Sequence, residues 1–539
     1  MSDSTAQAST QKGFLGWVER TGNKLPDPVF LFFYLIIALM IVSVVASFLG
    51  ANAILGDQVL GGMAESQKTR FSIGDDGLIP AISLLSADNI QRLWVDMPET
   101  FAHFHPLGLV LTVMLGAGVA ERSGLFASAM RNAVRNAPVF LLTPVVALVA
   151  MIGNHAADAA YVVLIPLAGV LFASAGRHPL AGIAAAFAGV SGGFSANITP
   201  GQLDALLFGI TQEASEILAP EYQTNIAGNW WFILVMTFVF LPIIWFVTDK
   251  IIEPKLGKYT PSGDAANSFK DDDAPLTPEQ KKGLGRAGLA CLATMALWAF
   301  MTWGPGTPLI NEGAGAWYIE YAPFFNSLVA FFLVIFLSSG WAYGAAAGTI
   351  KNHRDLVDMM AEAMKDMGYY LVLAFAAAHF VAMFAWSNLG LISAVHGANA
   401  IEASGLPLPI LLGLILIFSA LINLFIGSAS AKWALLAPVM VPMLMLLGVS
   451  PEGATAVYRV GDSATNIITP LMVYFPLILV FARRWQKDFG IGSLTAIMIP
   501  YSVGIMISGL LLTVLWVYLG LPLGPGASIS FDLTAVNGG

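Results

Sequence analysis

Charge is scarce in this chain: of 539 residues only 11% are Asp, Glu, Lys or Arg, against about 25% in soluble domains. Water is therefore excluded as its main solvent. Cysteine is almost absent. Cys291 stands alone inside an apolar run, which excludes an intrachain disulfide framework or a cysteine metal site and leaves a small buried apolar residue as the plain reading. No HExxH motif occurs and Cys291 has no recognisable basic partner, so neither a zinc hydrolase nor a thiol enzyme is expected. With 25 Lys and Arg, 34 Asp and Glu and a net charge of -9, the chain offers no basic surface for nucleic acid. The first 28 residues lack the basic start, apolar core and cleavage site of a signal peptide. They are expected to be retained on the cytoplasmic side.

What is abundant is apolar sequence: 57% hydrophobic residues and a mean hydropathy of +0.74. The expected partner is the lipid bilayer. Seven runs approach the roughly 20 residues that cross a hydrocarbon core: 29–50, 106–121, 229–248, 285–304, 323–345, 368–388 and 495–519. Four regions, 138–175, 179–213, 408–447 and 452–483, are apolar but interrupted by polar and glycine-rich patches. Lys and Arg cluster from Arg122, Arg177, Lys250, Lys351 and Arg483, whereas 213–228, 305–322 and 389–406 carry glutamate and neither Lys nor Arg. By the positive-inside rule the first set is cytoplasmic and the second external. Residues 138–175, flanked by Arg135 and Arg177, must then enter and leave on the cytoplasmic side, and 408–447, between Glu402 and Glu452, must do so from outside. Both are expected to be re-entrant hairpins. The expected fold is an all-α polytopic membrane protein of nine transmembrane helices and two re-entrant hairpins.

The order span, hairpin, broken span, span occurs twice, at 106–248 and 368–519, once from each side of the membrane. VVLIPL (162–167) parallels VMVPML (439–444), and SANITP (195–200) parallels SATNIITP (463–470). The organisation is therefore read as inverted repeats with discontinuous helices, a plan that places a substrate site near the bilayer midplane. The first repeat holds hairpin 138–175 and broken helix 179–213, and the second holds hairpin 408–447 and broken helix 452–483. Residues 1–28 form the cytoplasmic N-terminus, 29–50 the first transmembrane helix, 249–284 a polar cytoplasmic linker and 285–345 two connecting helices. Residues 352–366 read as an interfacial amphipathic helix, and the external stretch 51–104 as a folded loop.

Helix breaks at membrane depth expose backbone groups that must be satisfied by protein, a cavity or a ligand. Four are visible: GNHAAD (153–158), GVSGGFSANITPG (189–201), GSASAKW (427–433) and RVGDSATNIITP (459–470). Half-helix N-termini suit an anionic carboxylate and freed carbonyls suit a cation such as Na⁺. Asn154, Ser195, Asn197, Thr199, Ser428, Ser430, Asn466 and Thr469 are the candidate ligands; helix capping and interhelical hydrogen bonding are the alternative. Ionisable residues inside spans are functional candidates by default, which selects Asp204, Arg459 and Asp462. Arg459 and Asp462, three residues apart, either pair with each other or divide the work: Asp204 or Asp462 accepts a proton while Arg459 clamps a substrate carboxylate. Asp158 is placed to cap the second hairpin arm, and His155 is a titratable neighbour. Trp433 is either a stacking platform for an aromatic ring or an interfacial tryptophan, and Lys432 either attracts anions or is external charge.

At SASAKWALLAP (428–438), YRVGDSATNIITPLM (458–472) and SANITPGQLDALL (195–207) the chain resembles the AbgT family of p-aminobenzoyl-glutamate transporters over nearly its whole length. The resemblance implies a homodimer in the bacterial inner membrane and transport of a small anionic aromatic substrate. It further implies export of sulfonamide antimetabolites driven by the proton motive force, with H⁺ as coupling ion and no other cofactor. Family functional positions carry over to Asp204, Ser430, Trp433, Pro451, Arg459 and Asp462. The broader architecture is also similar to sodium-coupled dicarboxylate carriers, which keeps a Na⁺-coupled carboxylate importer as the alternative.

Overall fold

The computed structural model describes residues 26–56, 60, 68–69, 71–74, 76–156, 159–259 and 275–532. The N-terminal stretch 1–25, linker residues 260–274, parts of 51–104 and the expected cap Asp158 lie outside the described residues.

Helix α1 (Pro28–Phe48) starts where Asp27 accepts from the Val29 N–H at 2.8 Å, with Pro28 at its first position; a missing proline N–H costs nothing there. In the 51–104 loop, β1 (Asn52–Ile54) pairs antiparallel with β2 (Leu78–Pro80). Helix α2 (His105–Arg122) turns into α3 (Leu125–Arg135) through a 61° bend at Gly124, whose φ of 88° suits a residue without a Cβ. The expected span 106–121 is thus one limb of a bent pair. Next come α4 (Leu142–Ile152), a short turn over Gly153–Ala156, α5 (Ile165–Ser174), α6 (Pro179–Phe187) with a π-helical end Ala188–Gly192, and α7 (Gln202–Ser215). Proline and glycine at 193–201 keep the stretch before α7 unwound.

Helix α8 (Trp230–Phe246) continues through a π-turn to Leu256. Beyond the linker, α9 (Pro278–Thr302) opens with a Thr277/Gln280 capping box and packs with α10 (Leu328–Ala347) and α2 into one bundle. Gly340 allows that closeness: a Cβ there would lie 2.7 Å from Ala120 backbone atoms. The amphipathic α11 (His353–Asp366) leads to α12 (Gly368–Trp386). Residues expected as an external connector instead fold as α13 (Leu389–Ala403), burying Leu389, Leu391, Ile392 and Val395. Their apolar spacing is helical. Asn388 starts this helix with φ 60° and ties the 51–104 loop to it by donating to the carbonyls of Phe71 (2.7 Å) and Pro80 (2.9 Å).

The second half runs α14 (Leu408–Asn423), α15 (Ala429–Leu446), α16 (Pro451–Asn466), α17 (Phe475–Arg483) and α18 (Ile491–Tyr518). Among the described residues, seven helices have the length and apolarity to cross a membrane, with the bent α2–α3 pair as an eighth candidate. Helix α15, the second arm of the expected hairpin 408–447, is among the seven, because the break at 424–428 leaves it 18 residues, about 27 Å of rise. The chain is a helical, multi-pass membrane protein whose centre is α16.

Candidate substrate and ion-coupling site

All sixteen residues of α16 are buried, including Glu452, Arg459 and Asp462. A helix this polar is tolerated at membrane depth only inside protein, and α14, α15, α18, α7 and the Ala188–Gly192 turn surround it. Ser450 caps it, accepting from the Gly453 N–H at 3.0 Å, and Pro451 takes the first position. Glu452 is held by the Tyr222 hydroxyl at 2.8 Å.

Two cation–carboxylate pairs lie on α16. The Arg459 guanidinium donates to Asp204 of α7 at 2.5 Å and to the Ser195 carbonyl at 3.3 Å. Asp204 also accepts from the Gly201 N–H at 2.8 Å, capping its own helix. Asp462 pairs with Lys432 of α15, both fully buried. The pairing of Arg459 with Asp462 suggested by their spacing is therefore not formed, because each finds an opposite charge on a neighbouring element. Lys432 is not external charge either: its ammonium also lies 5.1 Å above the Tyr458 ring.

Trp433 is completely buried rather than interfacial. Its ring stacks on Tyr458 at 4.4 Å and its indole N–H donates to Thr211 Oγ1 at 2.9 Å, with Thr455 Oγ1 2.8 Å beyond. The Tyr458 hydroxyl donates to the Ala429 carbonyl at 2.6 Å. Helices α15 and α16 are thereby joined by an aromatic stack worth roughly 0.5–1.5 kcal/mol beyond its buried area, and α7 is tied to both through Thr211.

The two breaks of each half meet one another. In the first, Thr199 Oγ1 lies 3.2 Å from His155 Nε2, Gln202 donates to the Asn154 carbonyl at 3.3 Å, and Asn154 and Asn197 both donate to the Met151 carbonyl, at 3.0 and 3.5 Å. In the second, Thr469 donates to the Leu424 carbonyl at 3.2 Å, and a Cβ on Gly427 would lie 2.5 Å from the Leu471 carbonyl oxygen. Ser428 Oγ sits 3.3 Å from Ser430 Oγ. The halves then join: Asn466 donates to the Ser191 carbonyl at 3.4 Å, and Tyr161 stacks on Tyr474 at 4.2 Å.

A cavity of about 750 Å³ ends on Gly427, Ser428, Ser430 and Gln202 and has Asp27, Arg122, Asp366 and Tyr369 in its wall. Of the candidate residues, Ser428 and Ser430 line it. Asp204, Arg459, Asp462 and Trp433 form the buried cluster behind it, with Ser195 joined through its carbonyl. Asn154, Asn197 and Thr199 stay with the first hairpin tip, and Asn466 and Thr469 with the second break. Pro451 lies eight residues before Arg459 on α16, about 12 Å along the axis. Several buried polar atoms beside the pairs lack a hydrogen-bond partner among the described residues: Ser195 Oγ, Asn423 Oδ1, Ser463 Oγ and Arg459 Nε. Buried orphans of this kind mark places where a solute, ion or water completes the network.

Sequence reasoning missed Tyr458, Thr211, Thr455 and Asn423, and gave Lys432 no partner. Lys432 carried a usable signal, an ionisable residue directly before the apolar run WALLAPVM, the same criterion that selected Asp462. The hydroxyls carried none.

The family model of the AbgT putative transporter family matches residues 13–531. The p-aminobenzoyl-glutamate transport protein of Escherichia coli K12 is 35% identical over 528 residues, 98% of this chain and 99% of that one. Among solved structures, the YdaH transporter of Alcanivorax borkumensis is 41% identical with a TM-score of 0.84, over 93% of this chain and 100% of its own. MtrF of Neisseria gonorrhoeae, described with a class of antimetabolite efflux pumps, is 43% identical with a TM-score of 0.87, over 96% of this chain and 100% of its own. With two buried ion pairs where its broken helices meet and matches to transporters along nearly its full length, the chain belongs to the AbgT putative transporter family.

Proposed function

We propose that this protein is an ion-coupled secondary transporter of p-aminobenzoyl-glutamate and related aromatic anions, and that it exports sulfonamide antimetabolites with the proton motive force. It acts as a homodimer in the inner membrane with its N-terminus in the cytoplasm. The observation that carries the reading is the fully buried set Arg459, Asp204, Lys432 and Asp462 at the junction of both broken helices, behind a cavity of substrate size. Such groups at membrane depth are tied to ion or substrate movement. In this reading Ser428 and Ser430 receive the anion at the α15 N-terminus, joined by the other break residues Asn154, Ser195, Asn197, Thr199, Asn466 and Thr469, with Arg459 as the carboxylate clamp. Trp433 supplies the aromatic wall, Pro451 fixes the start of α16, and Asp204 or Asp462 carries the proton.

The names of the relatives support the substrate class: one is a p-aminobenzoyl-glutamate transport protein and another belongs to antimetabolite efflux pumps. Purified protein in liposomes tests it. Flux of p-aminobenzoyl-glutamate and of a sulfonamide should follow an imposed pH gradient with Na⁺ equal on both sides, and Asp462→Ala should abolish it. Flux that follows a Na⁺ gradient at clamped pH would replace this reading with a Na⁺-coupled carboxylate importer.

A further inference from the structure

The two buried pairs are not equivalent. Asp204 is fixed by a backbone N–H as well as by Arg459, and Arg459 by a backbone carbonyl as well as by Asp204. Apart from the Tyr458 ring face against the ammonium, Lys432 and Asp462 have only each other: the ammonium and both carboxylate oxygens lack any hydrogen-bond partner among the described residues. A pair with backbone anchors keeps its geometry when its surroundings change. A pair without them can exchange partners.

Helix α15 places the exchangeable cation one turn behind the cavity. Ser428, the N-cap of α15, lines the cavity floor. Lys432, four residues on, shares its helix face. Most other titratable groups on the elements packed around the pair are occupied or remote. Arg459 and Asp204 hold each other, Glu452 lies ten residues along α16 with Tyr222, and Glu213 binds His105 at the far end of α7. On α12, His379 Nδ1 faces the Phe375 carbonyl while its Nε2 and the Tyr370 hydroxyl are buried with no hydrogen-bond partner among the described residues, and the Tyr369 hydroxyl bonds Asp27. On α13, His396 bonds the Asn52 carbonyl and Glu402 is exposed. Tyr458 lies beneath the ammonium with its hydroxyl committed to Ala429. Helices α14 and α18 contribute no charged residue.

We propose that Lys432 is an anion-binding residue released by protonation of Asp462: a proton from water adds to the Asp462 carboxylate, and the freed ammonium pairs with a carboxylate of the substrate. This rests on the transporter reading above and specifies its coupling. No covalent bond changes apart from the O–H formed on Asp462. With Asp462 ionised, the charge of Lys432 is balanced and it offers the anion no free partner; with Asp462 protonated, an uncompensated buried ammonium demands one. Proton and anion therefore bind together and cross in the same direction, so an inward proton gradient drives the anion inward. Extrusion of sulfonamides concerns ligands without a carboxylate for Lys432 to take.

Titrating p-aminobenzoyl-glutamate into the purified full-length protein, in weak buffer with a pH indicator, tests this. The wild type should take up about one proton per substrate bound at neutral pH. Asp462→Asn, which leaves the ammonium without its carboxylate, should bind the substrate about tenfold or more tightly at neutral pH. The charge-balanced double variant Lys432→Gln with Asp462→Asn should lose that gain, and its gel-filtration profile reports folding independently. Proton release or no exchange on wild-type binding overturns the inference while leaving the transporter reading intact, and so does a double variant that binds as tightly as Asp462→Asn. Failure of the wild type to bind this substrate at any pH overturns both.

Discussion

The two hairpin regions place their charge at opposite ends. At the base of the first, Arg177 beyond α5 donates to Asp249 at 2.6 Å, to Glu253 at 2.5 Å and to Thr143 of α4 at 2.8 Å, and its guanidinium lies 4.3 Å from the Phe172 ring. Its tip makes a neutral-capable contact, His155 with Thr199. The second is reversed. Its base is tied by uncharged bonds to the C-terminal strap, Ser450 N–H to Ile529 at 2.9 Å, Ser450 Oγ to Ser528 at 2.6 Å and Phe531 N–H to Gly448 at 2.8 Å, while just past its tip Lys432 enters the buried centre. Charge therefore fastens the first hairpin to its neighbouring span, whereas in the second it sits where a proton or an anion can alter it.

The severest test of this contrast is Arg459→Ala, which leaves Asp204 as a buried unpaired carboxylate. Loss of about 3–5 kcal/mol and complete loss of flux are expected, read by thermal unfolding in detergent and by liposome transport. Arg177→Ala should cost about 2 kcal/mol, in the range for hydrogen bonds between charged groups, and slow flux without abolishing it. If it abolished flux with the protein folded, the first hairpin would be more than anchored.

Ser450→Ala removes a neutral cap and the strap contact. A loss of about 1 kcal/mol is expected, unchanged between low and high salt, while the cost of Arg177→Ala should shrink as salt rises. Equal salt dependence of the two would erase the distinction between the bases. A comparable effect belongs to Trp433→Phe, which keeps a ring over Tyr458 but drops the indole bond to Thr211; about 0.5–1.5 kcal/mol is expected for that bond. Flux that survived Phe but not Ala at Trp433 would assign the stack, rather than the hydrogen bond, as the part that matters.

Much of the fold was legible because apolar run length and loop charge are local properties. The break at 189–201 was visible as glycine, proline and small hydroxyl residues, and Asp204, Arg459 and Asp462 as ionisable groups inside apolar sequence; the break expected at 459–470 falls later, between Asn466 and Phe475, because α16 stays helical through Asn466. Helix α13 escaped notice because its glutamate and its neighbours' polarity resembled a loop, and only packing against α15 shows its apolar face. The partner of Arg459 escaped for a different reason. Asp462, three residues away, was the local solution, and Asp204, 255 residues distant, is the one the fold supplies.

The sequence by itself determined that the chain lives in a bilayer, where its helices break, and which few ionisable residues it commits to the interior, since each follows from the cost of polar groups in hydrocarbon. Only the tertiary structure decided how those residues pair. Pairing depends on which faces of α7, α15 and α16 are turned toward one another, and side-chain contacts between elements hundreds of residues apart leave no periodicity in the chain. The anchored, buried bond set of Arg459 with Asp204 and the bare contact of Lys432 with Asp462 are read from that packing alone.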